Sequence, residues 1–153
     1  MLLGGKMKKN MLFIATGGTI ASKKTEDGLV PQITPEELLA YVPEIKNFCN
    51  VDAMQPINID STNIQPEYWG LMAEIIEKNY DKYDGFVISH GTDTMSYTSA
   101  ALSYLIQNSS KPVIITGAQK PIDASITDAK KNLLDSFRFA AEKDVAGVYL
   151  VFD

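Results

Sequence analysis

Four short stretches of this chain concentrate side chains that could do chemistry: Thr16-Gly17-Gly18-Thr19-Ile20, Asp60-Ser61-Thr62-Asn63, His90-Gly91-Thr92-Asp93-Thr94 and Gly117-Ala118-Gln119-Lys120-Pro121. Together they offer hydroxyls, carboxylates, an amide and glycines, and glycines let backbone N–H groups come close to a ligand. That set suits hydrolysis of an amide through a covalent ester, which needs a hydroxyl nucleophile, a proton acceptor for it and N–H donors for the oxyanion. Taken singly, each stretch also has a plain local reading. Gly17-Gly18 reads as a turn capped by Thr19. Asp60-Ser61-Thr62 reads as a turn before a helix, Asp93 and Thr94 as caps of a helix that starts near Ser96, and His90 as a hydrogen-bonded loop histidine. Phosphate binding is the rival chemistry. The first stretch does not match G-x-G-x-x-G, the chain contains no G-x-x-x-x-G-K-[ST], and none of the four stretches holds an arginine.

The elements that must position these residues follow from periodicity. Short apolar runs at residues 11–15, 51–59, 85–89, 112–116 and 146–152 alternate with helical spacing, the pattern of a parallel α/β sheet. Thr34-Pro35-Glu36-Glu37 predicts an N-cap, a proline in the first turn and acids near the positive helix end, opening a short helix through Tyr41. Gln65-Pro66-Glu67 opens a longer helix, with Trp69, Met72, Ile75, Ile76 and Tyr80 at helical spacing, and residues 96–106 and 128–142 supply two more. Loops are short except at 23–32. In the flavodoxin-like order 2-1-3-4-5, the first and third strands are neighbours whose connections leave toward opposite faces, so a crevice opens at their carboxyl ends. Each of the four polar stretches follows an apolar run, and all four therefore reach one rim.

Composition narrows the partners. The chain has 153 residues, 45% of them hydrophobic and 22% charged, as expected of one globular α/β domain with a real core. A net charge of -5, with Arg138 the only arginine, disfavours nucleic acid. Cys49 and His90, the only residues of their types, make neither an internal disulfide nor a Cys/His zinc site. The run at 11–15 is too short for a secretory or membrane segment and reads as a first buried strand. Residues 1–6 fit no element, so translation could start at Met7. The expectation is a cytoplasmic protein without metal or cofactor, bound to neither nucleic acid nor membrane.

The residues in these stretches resemble the bacterial-type L-asparaginases, in particular the type I cytoplasmic enzymes. Thr16-Gly17-Gly18-Thr19-Ile20-Ala21 looks like the first threonine signature of that family, and the stretch from Gly85 to Met95 looks like the second. The resemblance continues through residues 58–63 and 112–119 and covers the chain from Met11 to Asp153. It implies a Rossmann-like, three-layer domain. By resemblance Thr19 is the nucleophile toward the side-chain amide of L-asparagine, or alternatively L-glutamine, and Thr92 and Asp93 act with a downstream lysine. The resemblance also places Asp60, Ser61 and Thr62 in the pocket, with Ser61 on the α-carboxylate and Asp93 on the α-amino group. Gly18 and Gly91 lie beside the substrate, and the Ala118 backbone faces the leaving amide.

Two departures stand out. The family draws a tyrosine from the loop after the first signature, often following a glycine, whereas here Gly28 precedes Leu29. The family lysine lies a little beyond the strand that ends at Asp153, in the part of the family that continues into a smaller C-terminal domain; Lys23, Lys24 and Lys120 are the nearest lysines in the motif loops. Residues 1–153 are thus expected to form a single N-terminal domain with little or no turnover by itself. Its uncovered apolar surface should drive association into a dimer or tetramer. The alternatives are a non-catalytic amino-acid-binding module and the ammonia-producing subunit of a tRNA-dependent amidotransferase.

Overall fold

Parallel pairing of five strands organises the computed structural model, which describes residues 7–26 and 28–153. The reading of residues 1–6 lies outside the described residues. Strands β1 (Lys9–Ala15), β4 (Cys49–Met54), β5 (Gly85–Ser89), β6 (Pro112–Thr116) and β7 (Gly147–Leu150) pair in the order β4-β1-β5-β6-β7. In order of appearance within this sheet, that is 2-1-3-4-5. The chain therefore builds the α/β, flavodoxin-like architecture that its alternation predicts, with every adjacent pair parallel.

Burial explains why the central strands carry unbroken apolar runs. β5 and β6 are buried at every position, and β1 from Met11 onward, because helices cover both faces. On one face Met11, Phe13, Val87 and Ile114 pack with Leu38 of α1 (Pro35–Ala40) and with Leu133, Phe137 and Ala140 of α4 (Ala129–Ala141). The Phe13 and Phe137 rings meet at 5.8 Å. On the other face Leu12, Ile14, Phe86, Ile88, Val113 and Ile115 pack with Met72 and Ile76 of α2 (Pro66–Asn79) and Leu102 of α3 (Met95–Leu105). Three layers result. α1 opens with the expected N-cap, and the structure completes it as a capping box, in which Glu37 N–H donates to Thr34 Oγ1 at 3.2 Å and Thr34 N–H to the Glu37 carboxylate at 2.8 Å.

Two elements differ from expectation. The run at 51–59 forms a strand only over Cys49–Met54, because Pro56 has no N–H to continue a ladder; only Ile59 rejoins, bridging Gly17. The supposed loop at 23–32 contains an antiparallel pair, β2 (Ser22–Thr25) with β3 (Gly28–Pro31). Gly28, with φ 110°, is its signal in the sequence, and the lysines of Ser22-Lys23-Lys24-Thr25, which show no apolar alternation, hide the strand before it. Among the described residues no helix is long and apolar enough to cross a membrane.

Candidate active site

The switch point lies between β1, which connects through α1 to β4 on one face, and β5, which connects through α3 to β6 on the other. Here the polar stretches meet backbone to backbone. Gly18 has φ 79° and ψ -179°, a region essentially closed to other residues. A Cβ there would lie 2.5 Å from Gly91 Cα, and a Cβ on Gly91 would lie 2.6 Å from both Ser61 Cβ and Ser61 Oγ. The ends of β1 and β5 and the segment after β4 therefore touch with no room for a methyl group. Polar bonds reinforce the junction: Ile59 N–H donates to Thr16 O at 3.0 Å, Thr16 Oγ1 to Ser89 O at 2.9 Å, and Thr94 Oγ1 to Ser61 O at 2.7 Å.

Around this junction the expected site residues are placed as follows. Thr19 opens a 3-10 turn (Thr19–Ala21) and is half-buried, while Ser22 Oγ donates back to Gly18 O at 2.9 Å. Ser61 is buried; Asp60 and Thr62 on either side are exposed. Asp60 accepts from the Thr62 N–H and hydroxyl, each at 2.8 Å, and these bonds hold its carboxyl below the usual value. Thr92 is half-buried and Asp93 exposed. Ala118 is fully buried, and Gly117 presses against the His90 carbonyl, where an added Cβ would sit 2.4 Å from the oxygen. Ile122 N–H reaches Ile20 O at 3.3 Å, tying the stretch after β6 to the turn that carries Thr19.

The helix-cap reading of Thr94 does not hold. Thr94 occupies the N-cap position of α3 but supplies no side-chain cap bond, because its hydroxyl is committed to Ser61 O across the junction. The Asp60 reading does hold locally, since its carboxylate caps the 3-10 turn Ser61–Asn63. His90 is indeed hydrogen-bonded, through both ring nitrogens, and fully buried; burial pushes its imidazole below the ordinary value, with the Gly91 bond opposing.

Several supporting residues escape sequence reasoning. The Asp128 carboxylate accepts from Gln119 N–H at 2.8 Å and Lys120 N–H at 3.1 Å, and buried Asn132 donates to Gly117 O at 3.1 Å. These two α4-end residues pin the stretch beside Ala118. An aspartate just before a helix is the available signal, but the backbone N–H groups it accepts from lie in the preceding loop instead of the helix. Trp69, a core residue by its helical spacing, also donates its indole N–H to Thr98 at 3.0 Å. A groove of about 530 Å³ lies away from the rim, between α2 and α3, lined by Gly70, Tyr80 and Leu105. Among the described residues no three His, Cys, Asp or Glu side chains gather as a metal would require.

A hydroxyl-rich crevice at the switch point of this sheet has known counterparts, and the chain belongs to the asparaginase family: residues 10–153 match the family described as "Asparaginase, N-terminal". It is 40% identical over 143 residues to the L-asparaginase of Thermococcus kodakarensis, covering 93% of this chain and 43% of that protein. It is 44% identical over 133 residues to a glutamyl-tRNA(Gln) amidotransferase subunit of Sulfolobus acidocaldarius, covering 85% of this chain and 30% of that one. The crystal structure of L-asparaginase I from Vibrio cholerae superposes with a TM-score of 0.86 at 40% identity, over 96% of this chain and 45% of the other. The chain thus spans less than half the length of these relatives and constitutes an asparaginase-family amidohydrolase domain.

Proposed function

We propose that this domain serves L-asparagine hydrolysis, with Thr19 as nucleophile. The observation that carries the reading is the Gly18–Gly91 contact, which sets two threonine stretches, Thr19 and Thr92-Asp93, side by side at adjacent strand ends. In the proposed reaction Thr19 Oγ1 attacks the side-chain amide carbon and a C–O bond forms. The hydroxyl proton passes through neighbouring hydroxyls to the leaving nitrogen, the C–N bond breaks, and ammonia departs. Water then hydrolyses the ester to L-aspartate and restores the hydroxyl. Ser61 holds the α-carboxylate with Asp60 and Thr62 beside it, Asp93 takes the α-amino group, and backbone N–H groups near Gly18, Gly91 and Ala118 line the reacting amide. A carboxylate paired with a lysine lowers the cost of moving the proton without requiring histidine.

A second reading, the ammonia-producing member of a tRNA-dependent amidotransferase, is supported by the 44% identity to the Sulfolobus acidocaldarius protein. Ammonia release from L-asparagine and L-glutamine separates the two, measured on the 153-residue chain and on any longer product of its gene. Efficient release from free asparagine supports the first reading, and release only in a tRNA-dependent system supports the second. Asp93→Asn is expected to raise KM for asparagine and lower kcat together, since one carboxylate serves both binding and proton transfer. Unchanged kinetics removes Asp93 from the mechanism.

The proposed setting is the cytoplasm, with a homo-oligomer as the working form. Tyr97, Tyr104 and Leu105 of α3 are 66%, 78% and 55% exposed, a surface suited to a like partner.

A further inference from the structure

Trp69, Thr98, His90 and Gly91 form a hydrogen-bonded chain from α2 through α3 to the rim. Trp69 Nε1 lies 3.0 Å from Thr98 Oγ1, Thr98 Oγ1 lies 2.9 Å from His90 Nε2, and His90 Nδ1 lies 2.7 Å from Gly91 O. Its two ends fix its direction. A carbonyl oxygen only accepts, so Nδ1 must carry the proton, and in a neutral ring Nε2 must then accept. An indole N–H only donates, so the Thr98 oxygen accepts from Trp69 and its hydroxyl proton points at Nε2. Thr98 and His90 are fully buried, so no water replaces a lost partner at either residue.

We propose that His90 and Thr98 are positioning residues, which lock the imidazole in its Nδ1–H tautomer and thereby set the Gly91 carbonyl and the backbone leading into Thr92 and Asp93. Gly91 has no slack, being in contact with Gly18 on one side and Ser61 on the other. A rotation of its peptide would disturb all three strand-end stretches together. The histidine thus acts on the reaction without touching substrate, through the one carbonyl it holds. The catalytic part of this inference rests on the amide-hydrolysis reading, whereas the tautomer itself does not.

The chain contains one histidine and one tryptophan, so ring signals are unambiguous. Long-range ¹H–¹⁵N spectra of the 153-residue chain should show a protonated Nδ1 and an imine-type Nε2; a ring protonated at Nε2 overturns the proposal. Thr98→Val removes the donor to Nε2. It should leave Nε2 without a donor and the ring held by the Gly91 carbonyl alone, shift the Nε2 signal and the Gly91 and Thr92 amide signals, and, in a product of the gene that turns over, lower kcat on the order of tenfold to a hundredfold with a smaller change in KM. Thr98→Ser should restore all three. A Thr98→Val protein with unchanged Nε2 and amide signals overturns the proposal. If Thr98→Val does not fold, His90→Asn and His90→Gln decide, because the first places an amide N–H where Nδ1 stands and the second does not. His90→Asn should keep the Gly91 amide signal nearer the parent position, and the reverse order refutes the idea. If neither the 153-residue chain nor any longer product of its gene releases ammonia, the function fails while the spectra still judge the tautomer.

Discussion

Thr19 separates two regions that are held in opposite ways. Before it, Gly17 is clamped against Ile59 and Gly18 against Gly91 at distances that leave no space for a side chain, and Gly91 is in turn pressed on Ser61. After it, the chain enters the β2–β3 hairpin, in which Leu29 is 51% exposed and Val30 37% exposed. The junction is fixed by buried backbone contact, while the hairpin rests on four ladder positions and has little core of its own. Regions of the second kind open at lower free energy. With Thr19 as the proposed nucleophile, the clamp would fix the reacting hydroxyl while the hairpin leaves room to admit a substrate beside it.

The largest effect should come from breaking the clamp. Gly18→Ala meets both a forbidden backbone region and the Gly91 backbone, which cannot swing aside as a side chain would. It should cost about 1–3 kcal/mol from strain and a further ~1–3 kcal/mol from overpacking, seen as a lower urea midpoint together with loss of turnover. A variant as stable as the parent shows that the junction is looser than its contacts imply.

Thr19→Val removes only a hydroxyl at nearly constant volume, so, in a longer product of the gene that turns over, ammonia release should vanish while the unfolding midpoint stays within about 0.5 kcal/mol of the parent. An active Thr19→Val protein refutes the nucleophile assignment. A smaller effect should appear at Asp60, whose carboxyl is held low first by the Thr62 N–H and then by the Thr62 hydroxyl. Its contribution to stability is present above the ordinary carboxyl pKa and is lost as pH falls through the lowered value. Thr62→Val should raise the Asp60 pKa only part of the way, because the backbone donor remains; an NMR titration of the Asp60 carboxyl carbon reads this directly. No change would remove the hydroxyl as a cause. The smallest effect should be Leu29→Ala in the hairpin, within about 0.5 kcal/mol in stability. A loss matching that of Gly18→Ala would erase the contrast between the two regions.

Much of this molecule is legible in its sequence, for reasons that differ by element. The central strands are buried on both faces and so appear as unbroken apolar runs, and α4 shows its buried stripe through Leu133, Phe137 and Ala140 at helical spacing. Edge elements are less legible. β4 is half-exposed and ends before Pro56, which blurs its boundary, and the lysine-rich β2 has no apolar period to find. Thr94 shows the limit of local reasoning: a threonine before a helix is a good cap, yet here a carbonyl from another strand end claims the hydroxyl.

By itself the sequence determined the strand–helix alternation and four polar stretches each placed after a strand, because hydrophobic periodicity and strand-end position are local properties. Only the tertiary structure decided which of those stretches touch, that Gly91 is wedged between Gly18 and Ser61, and that Asp128 and Asn132 hold the stretch beside Ala118. It alone also aligned Trp69, Thr98 and His90 into a directed chain. The physical reason is that these contacts join residues far apart in sequence, so their geometry is set by sheet register and helix packing, which no short window of residues encodes.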